Sequence, residues 1–192
     1  MGSVRVLVTR PQPGADRTAA HLAALGFEPV LLPLTQTLAL PQRLPDDRPD
    51  LVVATSPQAF HHLSQALREA LASARVLVTG EGTAAAATEA GLTRAETSGG
   101  NVSGLIDALA GMELSGTRIL YLAGKVRRPD LENFLRGRAV PFDVCEAYDT
   151  VSVSYSADKL AAFSVGGNVT CVLVTSVETI IAMAAISSAV FT

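Results

Sequence analysis

Cysteine is scarce in this chain, and charge of either sign is never concentrated. Only 2 of the 192 residues are cysteine. Cys145 and Cys171 each sit inside a strand-like run (FDVCEAY and TCVLVTS), a pattern that predicts buried, reduced thiols and excludes a disulfide-stapled scaffold. Basic and acidic residues nearly balance, 15 against 18, so neither nucleic acid nor an anionic membrane surface is expected as a general partner. Any anionic ligand must be met locally. His21 and the His61-His62 pair lie in helical stretches with no metal-ligand spacing and no cysteine cluster, so no metal site is predicted. The acidic residues form no pair at a spacing suited to glycosidase-type acid and base work. The N-terminus begins a strand at Val4 without the charged, apolar and small-residue pattern of a secretory signal, which makes the cytoplasm the expected compartment.

Long apolar runs are also few, with one exception. From Val169 to Thr192 the only charged residue is Glu178, and the mean hydropathy of the whole chain is +0.33. The break at Thr175-Ser176, and the change there from β-branched to alanine-rich composition, read as a strand followed by a helix rather than as a membrane span.

What the chain has in abundance is a repeated strand-to-helix phrase. It reads VLVTRP at Val6 to Pro11, VVATSP at Val52 to Pro57, VLVTGEGT at Val76 to Thr83 and VLVTS at Val172 to Ser176. Each copy is a short β-branched run of the kind buried on both faces of a parallel sheet, and each stops at Thr or Ser before a helical stretch. Such junctions place hydroxyls and unpaired helix N–H groups along one rim of a sheet, where open α/β sheets bind anions.

The first unit reads as a strand from Val4 to Thr9, a helix from about Ala15 to Leu25 ended by Gly26, and a strand from Glu28 to Leu32. Residues 34–49, rich in proline and with a short alternating run around Thr35 to Leu40, read as an extended connector. Five strands follow at Leu51 to Thr55, Arg75 to Thr79, Arg94 to Thr97, Arg118 to Leu122 and Phe142 to Glu146, separated by helices. The alternation demands parallel strands with helices on both faces. A second connector at 147–151 leads to a last strand at Cys171 to Thr175 and a helix from Val177 to about Ile186. The expected organisation is a discontinuous first α/β domain (1–33 with 152–192) and a second α/β domain (50–146), joined by two extended connectors.

The ordered set VLVTRPQPGADRTAAHLAALGFEPVLLPL, DLVVATSPQAFHHL, RVLVTGEGTAAAATEAGL, GRAVPFDVCEAYDTV and VLVTSVET resembles the uroporphyrinogen-III synthase family in order and spacing, over nearly the whole chain. The resemblance implies two flavodoxin-like α/β domains joined by a two-stranded ladder. It also implies binding of hydroxymethylbilane, a linear tetrapyrrole rich in carboxylates, and its cyclisation with inversion of the last pyrrole ring, without a cofactor. Tyr148, in AYDTV, matches the family tyrosine suited to act as general acid for the departing hydroxyl; its plainer alternative is packing at a junction. Ser56, Gly82 and Thr83 match cleft positions that bond carboxylates, with helix capping as the simpler role. Thr9, Arg10 and Ser176 occupy equivalent junctions in the first domain. Lys125, Arg127 and Arg128 follow a strand end, where they could pair with carboxylate arms or simply be solvated.

Two rival readings remain. Gly80-Glu81-Gly82-Thr83-Ala84-Ala85 satisfies a relaxed dinucleotide fingerprint, although Glu96 arrives early for the acidic residue such a site wants. Alternatively the chain is an inactive tetrapyrrole-binding remnant. Family members continue after the VLVTS helix with two further βα units, which leaves a first domain of three strands, at Val4, Glu28 and Cys171. That shortfall predicts weakened activity and a homodimer or poor solubility through exposed apolar surface. The final residues, ISSAVFT, resemble nothing in the family.

Overall fold

The computed structural model describes residues 3–43, 45–156, 158, 160 and 169–184; the ISSAVFT segment and the expected end of the last helix lie outside them. The β-branched runs become strands β1 (Arg5–Val8), β2 (Glu28–Leu31), β3 (Thr35–Ala39), β4 (Leu51–Ala54), β5 (Arg75–Val78), β6 (Ala95–Thr97), β7 (Ile119–Gly124), β8 (Phe142–Ser152) and β9 (Cys171–Leu173). The described helices are α1 (Gly14–Ala24), α2 (Pro57–His61), α3 (Gln65–Leu71), α4 (Glu81–Glu89), α5 (Val102–Ala110), α6 (Asp130–Gly137) and α7 (Val177–Ala184).

The chain divides into two compact units, Met1–Thr37 with Thr150–Thr192, and Leu38–Asp149. In the second unit the alternation of side chains sorts one strand set into two cores. Val52, Ala54, Val76, Val78, Leu120 and Leu122 face one cluster, completed by Phe60 of α2, Leu67 and Leu71 of α3 and Ala86 and Ala87 of α4. Their neighbours Leu51, Val53, Leu77, Ile119 and Tyr121 face the other, completed by Leu105 and Leu109 of α5 and Leu131 and Leu135 of α6. Runs such as LVVA are apolar at every position because helices cover both faces. β4, β5, β6, β7 and β8 pair in parallel, within a six-stranded sheet of order β3-β8-β7-β4-β5-β6.

In the first unit β1 lies between β2 and β9, parallel to both, in a three-stranded sheet. Leu7, Val30, Leu32, Leu34 and Leu160 form its described core, with Val172 of β9 and Met183 of α7 against them. α1 ends at Gly26, whose φ of +84° is the left-handed conformation that a side chain would resist.

The two extended connectors pair as the expected two-stranded ladder: Leu40 N–H donates to Ala147 O and Val153 N–H to Leu34 O, a descending register that makes β3 antiparallel to β8, which runs unbroken from Phe142 to Ser152. Backbone groups of an extended segment beside an open strand are better satisfied in a ladder than in water. One expectation needs correction: Cys171 is exposed, unlike the buried Cys145, because it is the first residue of β9, at the side of its sheet, whereas Cys145 lies within a covered strand. Among the described residues no helix is long and apolar enough to cross a membrane.

Candidate functional site

In the second unit the carboxyl ends of β4, β5, β6 and β7 open into short junctions that gather most of the residues expected to meet a ligand. Ser56 caps α2, its Oγ accepting from Gln58 N–H at 3.3 Å. At the next junction Gly80 leads directly into α4; Gly82 has nothing within 4 Å of the place a Cβ would take, and Thr83 is 5% exposed. Beside it, Ser98 Oγ donates to Val78 O at 2.9 Å and Asn101 caps α5 through Gly104 N–H at 2.9 Å. First-turn amides of α4 and α5 thus end on one rim, where helix dipoles favour negative charge. Glu81 of the first turn already faces Thr97, Oγ1 to Oε1 3.4 Å.

Beyond β7 the basic loop separates into two kinds of side chain. Arg127 is half-buried and tied down: it bonds Glu132 and Glu146, each at 2.7 Å, and the carbonyls of Gly124 and Lys125. Hydrogen bonds from Arg127, with further help from Arg136, hold the Glu132 carboxyl below its ordinary pKa. Arg127 therefore buttresses the loop. Arg128 is exposed, and Lys125 is largely so, its Nζ 3.3 Å from Asp149.

Tyr148 reaches the same rim from β8. Ala123 pairs with Glu146 but Gly124 with Tyr148, so Ala147 is an extra residue, a β-bulge of the kind that re-aims side chains near functional sites. The ring lies so close to Gly124 that a Cβ there would be 2.8 Å from Tyr148 Cζ and 3.0 Å from its oxygen. On its other side the ring stacks on His62, with centroids 5.9 Å apart at 27°. Burial, then the neighbouring His61, lower the His62 pKa, which keeps the imidazole neutral at pH 7. The two other tyrosines are placed differently. Tyr121 is 2% exposed beside Thr55, its phenol pushed up chiefly by burial, and Tyr155 donates to Pro33 O at 2.7 Å. Tyr148 is the half-buried phenol at the carboxyl ends of the strands.

In the first unit the matching hydroxyls are occupied by the fold. Thr9, fully buried, donates to Leu173 O at 2.7 Å, and Ser176 Oγ caps α7 by accepting from Thr179 N–H at 3.3 Å. Arg10 folds over the start of α1, Nη1 lying 3.4 Å from Thr18 Oγ1.

A cavity of about 840 Å³ lies elsewhere, near the amino ends of β7 and β8. Asp46, Asp47, Asp143 and Glu146 outnumber Arg43 and Arg118 in its lining, and Arg118 is paired with Asp47 at 2.6 Å. That balance repels a ligand rich in carboxylates, so the rim and not the cavity is the candidate site.

Residues 16–190 match the family model HEM4, uroporphyrinogen-III synthase HemD. The chain belongs to the uroporphyrinogen-III synthase family. Among solved structures it is similar to uroporphyrinogen-III synthetase from Helicobacter pylori 26695, with a TM-score of 0.65 and 15% identity over 96% of this chain and 78% of that one. It is also similar to a mutant uroporphyrinogen III synthase from the extremely thermophilic bacterium Thermus thermophilus, with a TM-score of 0.52 and 22% identity over 82% of this chain. At those identities the likeness establishes the two-sheet α/β fold. The chain covers 66% of the Thermus chain, just under two thirds of its length. A comparison with curated proteins gives no match.

Sequence reasoning places Ser56, Gly82, Thr83, Lys125 and Arg128 at strand ends and Tyr148 in the second connector, and these six lie on the rim of one unit. Thr9, Arg10 and Ser176 belong to the other unit. Gly124, His62 and the Ala147 bulge were not singled out as part of the family's tyrosine site. Of these, only Gly124 carries a readable signal, a glycine closing an otherwise bulky strand (ILYLAG).

Proposed function

We propose that this protein is a synthase that cyclises hydroxymethylbilane to uroporphyrinogen III. Tyr148 donates its phenolic proton to the terminal hydroxyl, whose C–O bond breaks to release water. The pyrrole-stabilised cation left behind is attacked within the same molecule, a spiro intermediate rearranges with the last ring inverted, and the proton lost as the joined pyrrole regains aromaticity restores the Tyr148 phenol. Positioning dominates such a reaction, because the two reacting ends belong to one flexible chain that must be folded into a ring. The amide ends of α4, with Thr83 and the backbone at Gly82, and the cations Lys125 and Arg128 bind carboxylate arms of the substrate. No cofactor is required.

The observation that carries this reading is the placement of Tyr148: a half-buried phenol, aimed by a bulge, on the same rim as the first-turn amides of α4 and α5. The test is to supply hydroxymethylbilane, oxidise the product and separate the isomers. Spontaneous closure yields type I, so an excess of type III is expected. A product mixture identical to buffer alone overturns the proposal, and retained binding of the bilane in that case points to a tetrapyrrole-binding protein. Tyr148→Phe is expected to lower kcat by about 10²-fold, the scale of one general acid, without abolishing type III product; an unchanged rate reduces Tyr148 to packing.

A further inference from the structure

The bulge that aims Tyr148 is held by a side chain from outside the rim. A bulge interrupts a ladder, leaving the backbone of its extra residue in need of other partners. The carbonyl of the bulged Ala147 has two: Leu40 N–H at 3.1 Å and Nε2 of Gln42, also at 3.1 Å. The same Nε2 donates to His62 O at 2.7 Å, and Oε1 of Gln42 accepts from Ser64 N–H at 2.8 Å. Two carbonyls and one N–H admit only one orientation of the amide, with both of its N–H groups and its oxygen engaged.

The groups so tied flank Tyr148. Ala147 precedes it in the chain, and His62 supplies the imidazole that stacks on its ring. Lys125 N–H completes the setting by donating to Tyr148 O at 2.8 Å. Gln42 itself is half-buried in a segment bounded by Pro41 and Pro45, whose fixed φ angles limit the freedom it can lose. Met cannot donate in its place and accepts only weakly, and Glu keeps only the acceptor while setting a negative charge against two carbonyl oxygens.

We propose that Gln42 is a positioning residue of the Tyr148 site: its amide locks the Ala147 bulge to the end of α2, so that His62 and Gly124 hold the phenol between them. The inference rests on the role given to Tyr148 above. A residue acting in this way influences the chemical step through the tyrosine and leaves substrate binding alone.

The test uses the whole 192-residue chain, with Gln42→Met and Gln42→Glu made alone and in the Tyr148→Phe background, and with 3-fluorotyrosine incorporated throughout. The Tyr148 signal is assigned by its loss in Tyr148→Phe. Either Gln42 variant is expected to move or broaden that ¹⁹F signal while leaving those of Tyr121 and Tyr155 in place. Alone, it lowers kcat by about tenfold or more, as displaced catalytic groups do, with KM unchanged within about twofold. In the Tyr148→Phe background the same change has no further effect on kcat. An unmoved Tyr148 signal overturns the proposal, and so does a kcat loss that recurs in full without the phenol, since that marks a general structural role. Should the wild-type chain form only the type I isomer, the proposed function falls, and the fluorine signal decides for or against the clamp on its own.

Discussion

The same four residues, Val-Leu-Val-Thr, recur three times, and the copies at the ends of β1 and β5, one in each unit, lead to different sites. After β1, Thr9 donates to the carbonyl of Leu173; after β5, Thr79 donates in the same way to Thr55 O, at 3.4 Å. To this point the copies are equivalent, each hydroxyl fastening its strand end to the neighbour. They part at the next residue. Arg10 begins a loop that runs to Pro13 before α1 starts, and its guanidinium lies over the helix entrance; Gly80 is itself the N-cap of α4 and leaves the first turn bare. A repeated phrase therefore announces a repeated strand, while the residue after it decides whether the helix end meets its own side chain or something else.

The largest test of this contrast is at Phe60, fully buried in the core beneath the second rim. Phe60→Ala is expected to cost about 3–5 kcal/mol, measured by urea unfolding as a lower midpoint at constant slope. Because Phe60 belongs to α2, whose end carries His62, the same variant should also disturb the Tyr148 signal. Next comes Gly124→Ala. The new methyl would meet a ring packed by His62, so a fall in kcat of about 10²-fold is expected, the scale of a misplaced reacting group, while the far-ultraviolet circular dichroism is preserved.

A pH series separates the two arginines. Arg127 holds Glu132, whose carboxyl is lowered from 4.5 in the folded protein, whereas Arg10 pairs with no carboxylate among the described residues. A depressed folded-state pKa contributes stability that is present above the unfolded value and is lost as pH falls toward the folded one. Unfolding free energy should therefore drop more steeply in the wild type than in Glu132→Gln as the pH falls below the ordinary 4.5 of a glutamate. Equal slopes would remove Glu132 from the account. The smallest effect is expected at Gly14→Ala. A Cβ there would come within 2.7 Å of Arg10 Nε, as close as the one at Gly124, but this neighbour ends a flexible side chain and can swing aside. The melting temperature should correspond to a change within about 0.5 kcal/mol, since alanine also favours the helix.

The strands and their parallel order were legible because both faces of the second sheet are covered, which turns LVVA and ILYLAG into unbroken apolar runs. The family could be recognised from phrases spread along the chain. The ladder of β3 and β8 follows from the family resemblance rather than from TQTLA itself, which is short and half-polar and becomes a strand only beside β8. Gln42 offers no local signal: its partners lie 20, 22 and 105 residues away, and nothing in PQR marks a side chain that will join them. Arg127 and Arg128 look interchangeable in KVRR, yet Glu132 and Glu146 draw only the first inward. Such assignments depend on tertiary neighbours, which composition and spacing do not encode.

The extra residue in β8 also settles a question of parity. In an uninterrupted strand, side chains two apart share a side, so Cys145 would be followed by Ala147 and Asp149, with Tyr148 turned toward the side of α5 and α6. Inserting Ala147 resets the count, and both Cys145 and Tyr148 lie on the side of Phe60 and α4. Straightening the bulge with every residue kept would carry the phenol through the sheet to the opposite layer, where Tyr121 already lies, whereas deleting Ala147 would leave the tyrosine two places after Cys145 and on the same side.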